Sequence, residues 1–270
     1  MPCCGCFGRK DRRPMLMPTV ATPFPVLWGF STRSSDPREL PERTLAQVHG
    51  CAIWEASGFL REGDGHWTQE PGRRIGVRVA DCVPILLAGL VAGKPAGKPW
   101  VAALHAGWRG AVQGILRRGI ETFKDMGGAT DGLCYAFGPC IQVCHFEVGW
   151  EVIEAAKRDA AWRDDLATMG PNGRPHLDLH GLLRAQALDM GLDPGKDGSV
   201  KRCTLCERDT FYSHRGGDSG RQWGWVEIEP LAKPAGFASC RRHRNWVKWR
   251  WSLTLPMQRQ SLTPLNPFRP

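Results

Sequence analysis

One thiol and two imidazoles lie in three short sequence words in the first half of the chain. The words are QVHG at residues 47–50, ADC at residues 80–82 and HAGWRG at residues 105–110. Histidine nitrogen and cysteine thiolate are common zinc ligands, and a site with three protein ligands leaves a fourth position for water or substrate. Zinc held in this way lowers the pKa of a bound water to about 7. We therefore predict that His49, Cys82 and His105 form a catalytic zinc site, with copper as the chemical alternative.

The residues around Cys82 and His105 have the pattern of a β-hairpin. Residues 75–87 are rich in Val, Ile and Leu, residues 100–104 are largely apolar, and segment 93–99 between them consists mainly of Gly, Pro and Lys. Apolar runs bounded by such turn residues predict strands, and the short connection predicts an antiparallel pair. We expect this hairpin to place Cys82 near His105.

Residues 111–126 carry apolar residues at helical spacing. They predict a helix that begins just after Gly110, with its N-terminal amides facing the metal site. Two more helices are predicted at 148–161 and 179–190, the second with Asp178 as its N-terminal cap. Strand patterns occur at residues 27–33, 133–137 and 223–228. Strands and helices that mix without a regular βαβ rhythm indicate the α+β class.

The three words, together with four others, resemble the YfiH family, which is also called the polyphenol-oxidase laccase-domain family. The other words are GPCI at residues 138–141, HLDL at 176–179, CTLC at 203–206 and FYSHR at 211–215. The resemblance extends from about residue 29 to about residue 229. Its specificity lies in the combination, above all in HAGWRG following ADC at this distance. It implies a layered sandwich of mixed β-sheets covered by helices.

The resemblance also implies an enzyme of purine nucleosides. The family is associated with phosphorolysis of adenosine, inosine, guanosine and methylthioadenosine, and with deamination of adenosine. A metal-activated water can attack C6 of adenine, whereas phosphorolysis needs a positive group that orients phosphate. We therefore predict a zinc-dependent purine nucleoside phosphorylase with adenosine deaminase activity, whose partners are purine nucleosides and phosphate.

Two residues of these words are predicted to act in catalysis. Arg109 follows His105 by four residues, and we predict that it clamps phosphate, because a guanidinium matches the two-pronged geometry of that anion. A proton must also move in these reactions. We assign this role to Asp81, with His145 as the alternative. The resemblance implies that the residues in contact with substrate include Arg33, Gln47 and Arg221.

Three other functions are compatible with the same residues. Polyphenol oxidation by copper is implied by the older family name, but several coppers need many histidines and the chain has eight. A hydrolase that edits cell-wall precursors is a further association of the family. A binding or regulatory domain that has lost catalysis belongs to a different class. Only thirteen residues, 34–46, separate the opening strand from QVHG, so we expect a reduced first lobe with fewer substrate contacts.

A second group of cysteines has metal-ligand spacing. Cys203-x-x-Cys206 could bind a metal or form a redox pair, and the nearby complement is Cys140-x-x-x-Cys144-His145. Because no second CxxC with zinc-ribbon spacing follows, a structural pair of buried thiols is the favoured interpretation.

The positive charge of the chain is concentrated at its two ends. Of the net charge of +9, the segment after Glu229 contributes +8 and the residues before Pro14 contribute +3, which leaves −2 for the residues between. A region near neutrality has no electrostatic footprint for a phosphate backbone, so we predict that it does not bind nucleic acid. We expect a disordered leader at 1–24, a catalytic domain at 25–230 and a basic, Trp-rich, poorly structured tail at 231–270.

Composition also predicts the compartment. The sequence contains no stretch of about eighteen apolar residues that would predict a membrane span, and its N-terminus shows no apolar signal-peptide core. Eleven cysteines without an export signal indicate a reducing environment. We therefore predict a cytoplasmic location.

Overall fold

The computed structural model describes residues 15–94 and 97–230. Within these residues the chain forms thirteen β-strands and four α-helices. The strands are β1 (Met15–Leu16), β2 (Val26–Ser31), β3 (Leu45–Ala46), β4 (Ile53–Glu55), β5 (Arg61–Glu62), β6 (Gly65–Thr68), β7 (Ile75–Val79), β8 (Val83–Val91), β9 (Lys98–Ala106), β10 (Cys134–Phe137), β11 (Ala167–Met169), β12 (Pro175–Leu177) and β13 (Gln222–Ile228). The helices are α1 (Trp108–Val112), α2 (Ile115–Asp125), α3 (Trp150–Ala156) and α4 (Leu179–Asp189).

The central layer is a five-stranded sheet with the strand order β10-β8-β9-β6-β4. Its middle is a hairpin of two nine-residue antiparallel strands, β8 and β9, in which Val83 lies opposite Ala106. Nearly every residue of β8 is buried, as is typical of an apolar run without polar alternation. The predicted hairpin is confirmed. It brings Cys82, which immediately precedes β8, beside His105 near the end of β9.

Both faces of the central sheet are covered. Alternate side chains of β8 enter different hydrophobic cores, so that Ile85 and Leu87 face one core while Leu86 and Ala88 face the other. The first core is completed by apolar residues of α2 and α4, which include Leu116, Ile120, Leu182 and Leu183. The second core is closed by a four-stranded antiparallel sheet of order β1-β2-β13-β7. The α+β sandwich of sheets covered by helices, as predicted, is confirmed.

The helix predicted after HAGWRG is broken in two. The helix α1 begins at Trp108, earlier than predicted, and α2 begins at Ile115. Gly114 between them has φ 87°, a left-handed conformation that glycine adopts without steric cost. The helix α4 agrees with its prediction, and the Asp178 carboxylate caps it by accepting the Gly181 N–H at 2.7 Å. The longest helices have eleven residues, and no helix of the described part is long and apolar enough to cross a membrane.

The folded region starts earlier than the sequence predicts. The strand β1 pairs antiparallel with β2, and its Leu16 is buried. This strand lies within the predicted disordered leader, 1–24, because a two-residue strand leaves no readable pattern in a sequence. The rest of that prediction, for residues 1–14, and the predicted tail at 231–270 lie outside the described residues.

Candidate metal centre and substrate pocket

The structure brings the three predicted zinc ligands together. The ligand atoms of His49, Cys82 and His105 lie within 4.8 Å of one another. The β8–β9 hairpin supplies Cys82 and His105, whereas His49 lies between β3 and β4. The two imidazole rings are 4.8 Å apart and nearly perpendicular. The hairpin therefore fixes two of the three ligands, and a separate loop must be held in place to supply the third.

A buried carboxylate, Asp64, holds the loop that carries His49. It accepts the backbone N–H groups of His49 at 2.9 Å, Gly50 at 2.7 Å and Val48 at 3.2 Å. His49 has φ 62°, a left-handed conformation that is uncommon outside glycine. Successive amides in such a conformation form a concave anion site. The Asp64 side chain fills this site and so stabilises the strained backbone at His49.

The same carboxylate orients His105. Its Oδ1 lies 2.7 Å from His105 Nδ1, which leaves Nε2 of the ring for a metal. Burial would raise the pKa of Asp64, but the hydrogen bonds from His105 and the backbone outweigh it and lower that pKa. Sequence reasoning missed Asp64, since it lies 15 residues from His49 and 41 from His105 and belongs to no recognised word.

The surroundings of Cys82 favour the thiolate. Burial would raise the pKa of this thiol, but the hydrogen bonds and charges of His105 and His49 lower it to about 6. Burial likewise would lower the pKa of His105, while its hydrogen bonds to Asp64 and Cys82 raise it to about 9. The thiolate is the form that binds metal. One thiolate and two imidazoles converging on a shared position are a donor set that fits zinc.

Asp81, which is predicted to move a proton, is hydrogen-bonded through both carboxylate oxygens. Oδ1 accepts the Thr204 hydroxyl and Oδ2 accepts the Arg215 backbone N–H, each at 2.6 Å. Asp81 also has φ 82°, and it borders the cavity that adjoins the candidate metal centre. These contacts fix the backbone just before Cys82. The alternative, His145, is not among the described residues that line this pocket.

The candidate metal centre opens into a cavity of about 610 Å³, a volume typical of small-molecule sites. Trp108 and Phe146 give the cavity aromatic surface. Asp81 is the only acid among the described residues that line it. The arginines that line it are Arg43, Arg78, Arg109, Arg215 and Arg221. A cavity with this balance of charge attracts anions.

Three of the four residues predicted to bind phosphate or substrate border the cavity. The exposed guanidinium of Arg109 lies 4.5 Å from the centre of the Trp108 ring. Gln47 donates one hydrogen bond to the Arg78 carbonyl and accepts another from the Arg78 N–H, both at 2.8 Å. Its side-chain amide is therefore paired with the backbone of strand β7. Arg221 donates to its own loop, at the carbonyl oxygens of Ser219 and Gly220.

Arg33 is the fourth, and the structure does not bring it to the described lining of the cavity. Its Nε donates to the Phe211 carbonyl at 2.9 Å, and its guanidinium lies 2.6 Å from the Asp218 carboxylate and 4.2 Å from the centre of the Tyr212 ring. The hydrogen bond from Arg33 lowers the pKa of Asp218 to about 2. The contacts of Arg33 are thus structural, because its cation is already paired with an acid.

Sequence reasoning missed three arginines of the cavity. Arg215 belongs to the FYSHR word, so the resemblance carried a signal for it, and its guanidinium donates to the Glu147 carbonyl at 2.9 Å. Arg43 and Arg78 belong to none of the words. Burial and the nearby charges of Arg43 and Arg221 lower the pKa of Arg78. The cavity therefore concentrates positive charge that a bound anion would offset.

Fold and site together define an α+β protein with a candidate metal centre in a basic pocket. The family described as multi-copper polyphenol oxidoreductase laccase matches residues 34–229. The chain belongs to this family, which includes the proteins named YfiH.

Two relatives and one solved structure show the range of the likeness. The chain is 36% identical over 220 residues to a purine nucleoside phosphorylase of Deinococcus radiodurans, which spans 74% of this chain and 81% of that one. It is 36% identical over 190 residues to adenosine deaminase RL5 of an unknown prokaryotic organism, spanning 65% and 70% of the two chains. The crystal structure of the hypothetical protein YfiH from Bacillus licheniformis has a TM-score of 0.66 at 21% identity, covering 76% of this chain and 93% of that chain.

Proposed function

We propose that the chain is a zinc-dependent purine nucleoside phosphorylase that also deaminates adenosine. The observation that carries the proposal is that one cavity is bordered both by His49, Cys82 and His105 and by five arginines. Such a cavity offers positive side chains for phosphate and aromatic surface for a base. The names of two relatives, purine nucleoside phosphorylase and adenosine deaminase, support the same assignment.

We assign zinc to the three-ligand cluster because the donor set suits it. Asp64 supports the assignment, since a carboxylate on the far nitrogen of a ligating histidine fixes the ring and strengthens it as a ligand. When bound, zinc would supply a Lewis acid and an activated water for deamination. Zinc rather than copper is the available metal in a reducing cytosol. We place the protein there because of its cysteine content.

In phosphorolysis, we assign the orientation of phosphate to Arg109, with Arg215 as a second positive group that borders the cavity. A phosphate oxygen forms a bond to C1′ of the ribose while the bond from C1′ to the purine nitrogen breaks. The electron pair of that bond leaves with the base, which takes up a proton. Fixed positive groups stabilise the charge that develops during this step. The backbone of Arg215 is fixed by Asp81 and its guanidinium by Glu147, so little reordering is needed when phosphate binds.

The aromatic side of the cavity suits the purine. Trp108 and Phe146 both border the cavity, and the stacking of a base on an aromatic side chain is worth about 1–3 kcal/mol. Asp81 stays our candidate for proton transfer. Its two hydrogen bonds add a positioning role, because they hold the backbone next to Cys82.

Incubation of the purified full chain with adenosine, with and without inorganic phosphate, tests the proposal. With phosphate we expect adenine and ribose 1-phosphate, and without it inosine and ammonia. Cys82→Ala should lose both activities together with its zinc. Cys51→Ala, a half-buried cysteine outside the cavity lining, should retain both.

Two results would contradict this assignment. A zinc-loaded wild-type chain that yields neither set of products would be a binding domain rather than an enzyme. A copper-loaded chain that consumes oxygen with a polyphenol, and leaves adenosine unchanged, would be an oxidase.

A further inference from the structure

We propose that Cys144, His145, Cys203 and Cys206 form a second metal site, which closes around a structural zinc ion. Their four ligand atoms lie within 4.8 Å of one another. Sequence reasoning favours a plain pair of buried thiols at Cys203 and Cys206. In the structure, Cys144 and His145 from a distant segment lie beside this pair. They supply the two further ligands that a second CxxC supplies in a zinc ribbon. We call these four residues the Cys₃His cluster.

Backbone hydrogen bonds set the two segments of the Cys₃His cluster side by side. Cys140 and Cys203 pair as an isolated parallel bridge. Beyond Cys140 the chain turns, with the His145 N–H donating to the Gln142 carbonyl at 2.9 Å. Beyond Cys203 it turns again, with the Glu207 N–H donating to the Cys203 carbonyl at 3.1 Å. The two turns present their donors toward each other, so the fold brings the two pairs of ligands together.

Three donor–donor distances within the cluster match the edges of a tetrahedral zinc site. The Sγ atoms of Cys144 and Cys206 are 3.6 Å apart. His145 Nδ1 lies 3.4 Å from the Cys206 Sγ and 3.7 Å from the Cys203 Sγ. Zinc–sulfur bonds of about 2.3 Å and zinc–nitrogen bonds of about 2.0–2.1 Å give tetrahedral edges of about 3.8 Å between sulfurs and about 3.6 Å between sulfur and nitrogen. All three observed distances lie within about 0.2 Å of these edges.

The donor types select zinc and a structural role. Three thiolates and one imidazole are soft ligands that favour zinc over magnesium or calcium. Four protein ligands fill the coordination shell, whereas the cluster of His49, Cys82 and His105 leaves a position open. A disulfide between Cys144 and Cys206 is the competing state. It would need the two sulfurs about 2.05 Å apart, whereas the structure has them 3.6 Å apart.

The two segments of the Cys₃His cluster contact Asp81 and Arg215, which border the cavity. Thr204, between two of its cysteines, donates to Asp81. The guanidinium of Arg215 donates to the carbonyl oxygen of Glu147, two residues beyond His145. An ion that joins the two segments would therefore brace the loop that presents Arg215 to the cavity. The proposal of a second metal site stands independently of the enzymatic assignment.

Zinc content of the full chain, saturated with zinc under reducing conditions, tests the proposal. We expect Cys206→Ala to hold one zinc per chain fewer than the wild type. Cys82→Ala should also hold one fewer, and the double variant two fewer, because the sites are separate. Cys51→Ala is the matched control, a half-buried cysteine outside both clusters, and should equal the wild type. Comparison between variants cancels any metal bound elsewhere on the chain.

Two further measurements keep the proposal falsifiable if Cys206→Ala does not fold, as judged by circular dichroism. His145→Ala should lose the same single zinc. Cobalt(II) in Cys82→Ala should give intense thiolate-to-metal charge-transfer absorption from the remaining thiolate-rich site. Unchanged zinc content in Cys206→Ala and His145→Ala, weak cobalt absorption in Cys82→Ala, or a Cys144–Cys206 disulfide in protein kept under reducing conditions would each overturn the second site.

Discussion

At the scale of single residues, Asp64 connects two of the three ligands of the candidate metal centre. Its carboxylate holds the backbone of His49 and the imidazole of His105. Asp64→Asn keeps the size of the side chain but removes the charge, and it turns one accepting oxygen into a donor. We expect zinc affinity at the three-ligand centre to fall by about 10–100-fold, as measured by competition with a chromophoric chelator. Asp131→Asn, at an exposed acid, is the control, and equal affinities in the two variants would exclude this role for Asp64.

Arg109 offers a second prediction at this scale. If its guanidinium clamps phosphate, Arg109→Lys should slow phosphorolysis more than deamination, because an ammonium cannot reproduce a planar two-pronged contact. Loss of one charge-assisted contact costs about 1.5–3 kcal/mol, so we expect a decrease on the order of tenfold to a hundredfold in kcat/KM for phosphorolysis. Rates across a range of phosphate concentrations measure it, with Arg118→Lys, an exposed arginine outside the cavity lining, as the control. Equal losses in both reactions would contradict the clamp.

The residues of the site differ in how far the sequence could predict them. His49, Cys82 and His105 lie in words whose residue types carry their own chemistry, and the structure places them together. Asp64 and Arg78 act through contacts that only the folded sheet creates, so no spacing in the sequence marks them. The ion pair of Arg33 could not be predicted for the same reason, since its partner Asp218 is distant in sequence and reaches it only in the fold.

At the scale of elements, the connection from β9 to α1 is closely packed against the loop that carries His49. A Cβ added to Gly107 would lie 2.9 Å from the His49 ring and 3.2 Å from the Cys82 Sγ. A Cβ added to Gly110 would lie 2.8 Å from the Gly50 carbonyl oxygen. The glycines of the HAGWRG word are therefore needed for close approach, since neither has a left-handed backbone conformation.

This packing predicts the effect of one methyl group. Gly107→Ala should push the His49 ring away from Cys82 and weaken zinc binding, at a cost of about 1–3 kcal/mol for overpacking. Zinc affinity and thermal unfolding with and without zinc measure the two effects. Gly132→Ala is the control, because a Cβ there meets no atom within 4 Å. Wild-type zinc affinity in Gly107→Ala would show that the His49 loop moves freely.

Elements with a strong local pattern could be predicted, and those that depend on distant partners could not. The β8–β9 hairpin and α4 carry long apolar or periodic segments with clear turn and cap residues, and both match the structure. The break at Gly114 was missed because one glycine inside a helical pattern does not reveal its backbone angles. Two-residue strands such as β1 exist only through their pairing partners.

At the scale of the whole molecule, two buried histidines predict loss of stability in acid. Burial lowers the pKa of both His66 and His180 to about 4, from an ordinary value of 6.5. Between these values the unfolded chain binds protons that the native chain does not, so the free energy of unfolding falls as the pH is lowered through that window. The loss amounts to about 2 kcal/mol per histidine by pH 5.

Urea unfolding between pH 7.5 and pH 5 measures this dependence. His180→Leu should show a shallower decrease than the wild type, because the variant has no imidazole to protonate at that position. His214→Leu, at an exposed histidine, should keep the wild-type slope. Parallel curves for His180→Leu and wild type would mean that other groups govern the acid response.

The three ligands of the candidate metal centre lie on parts of the fold that differ in their resistance to local opening. Cys82 and His105 belong to a hairpin covered by hydrophobic cores on both faces, whereas His49 lies between strands of two and three residues. Amide protons exchange slowly in buried ladders and quickly in such short elements. The His49 loop is held by the Asp64 carboxylate and by its packing against Gly107 rather than by a long strand ladder, so we expect it to open before the hairpin does, and an ion would then enter and leave at a rate set by the opening of that loop rather than by global unfolding.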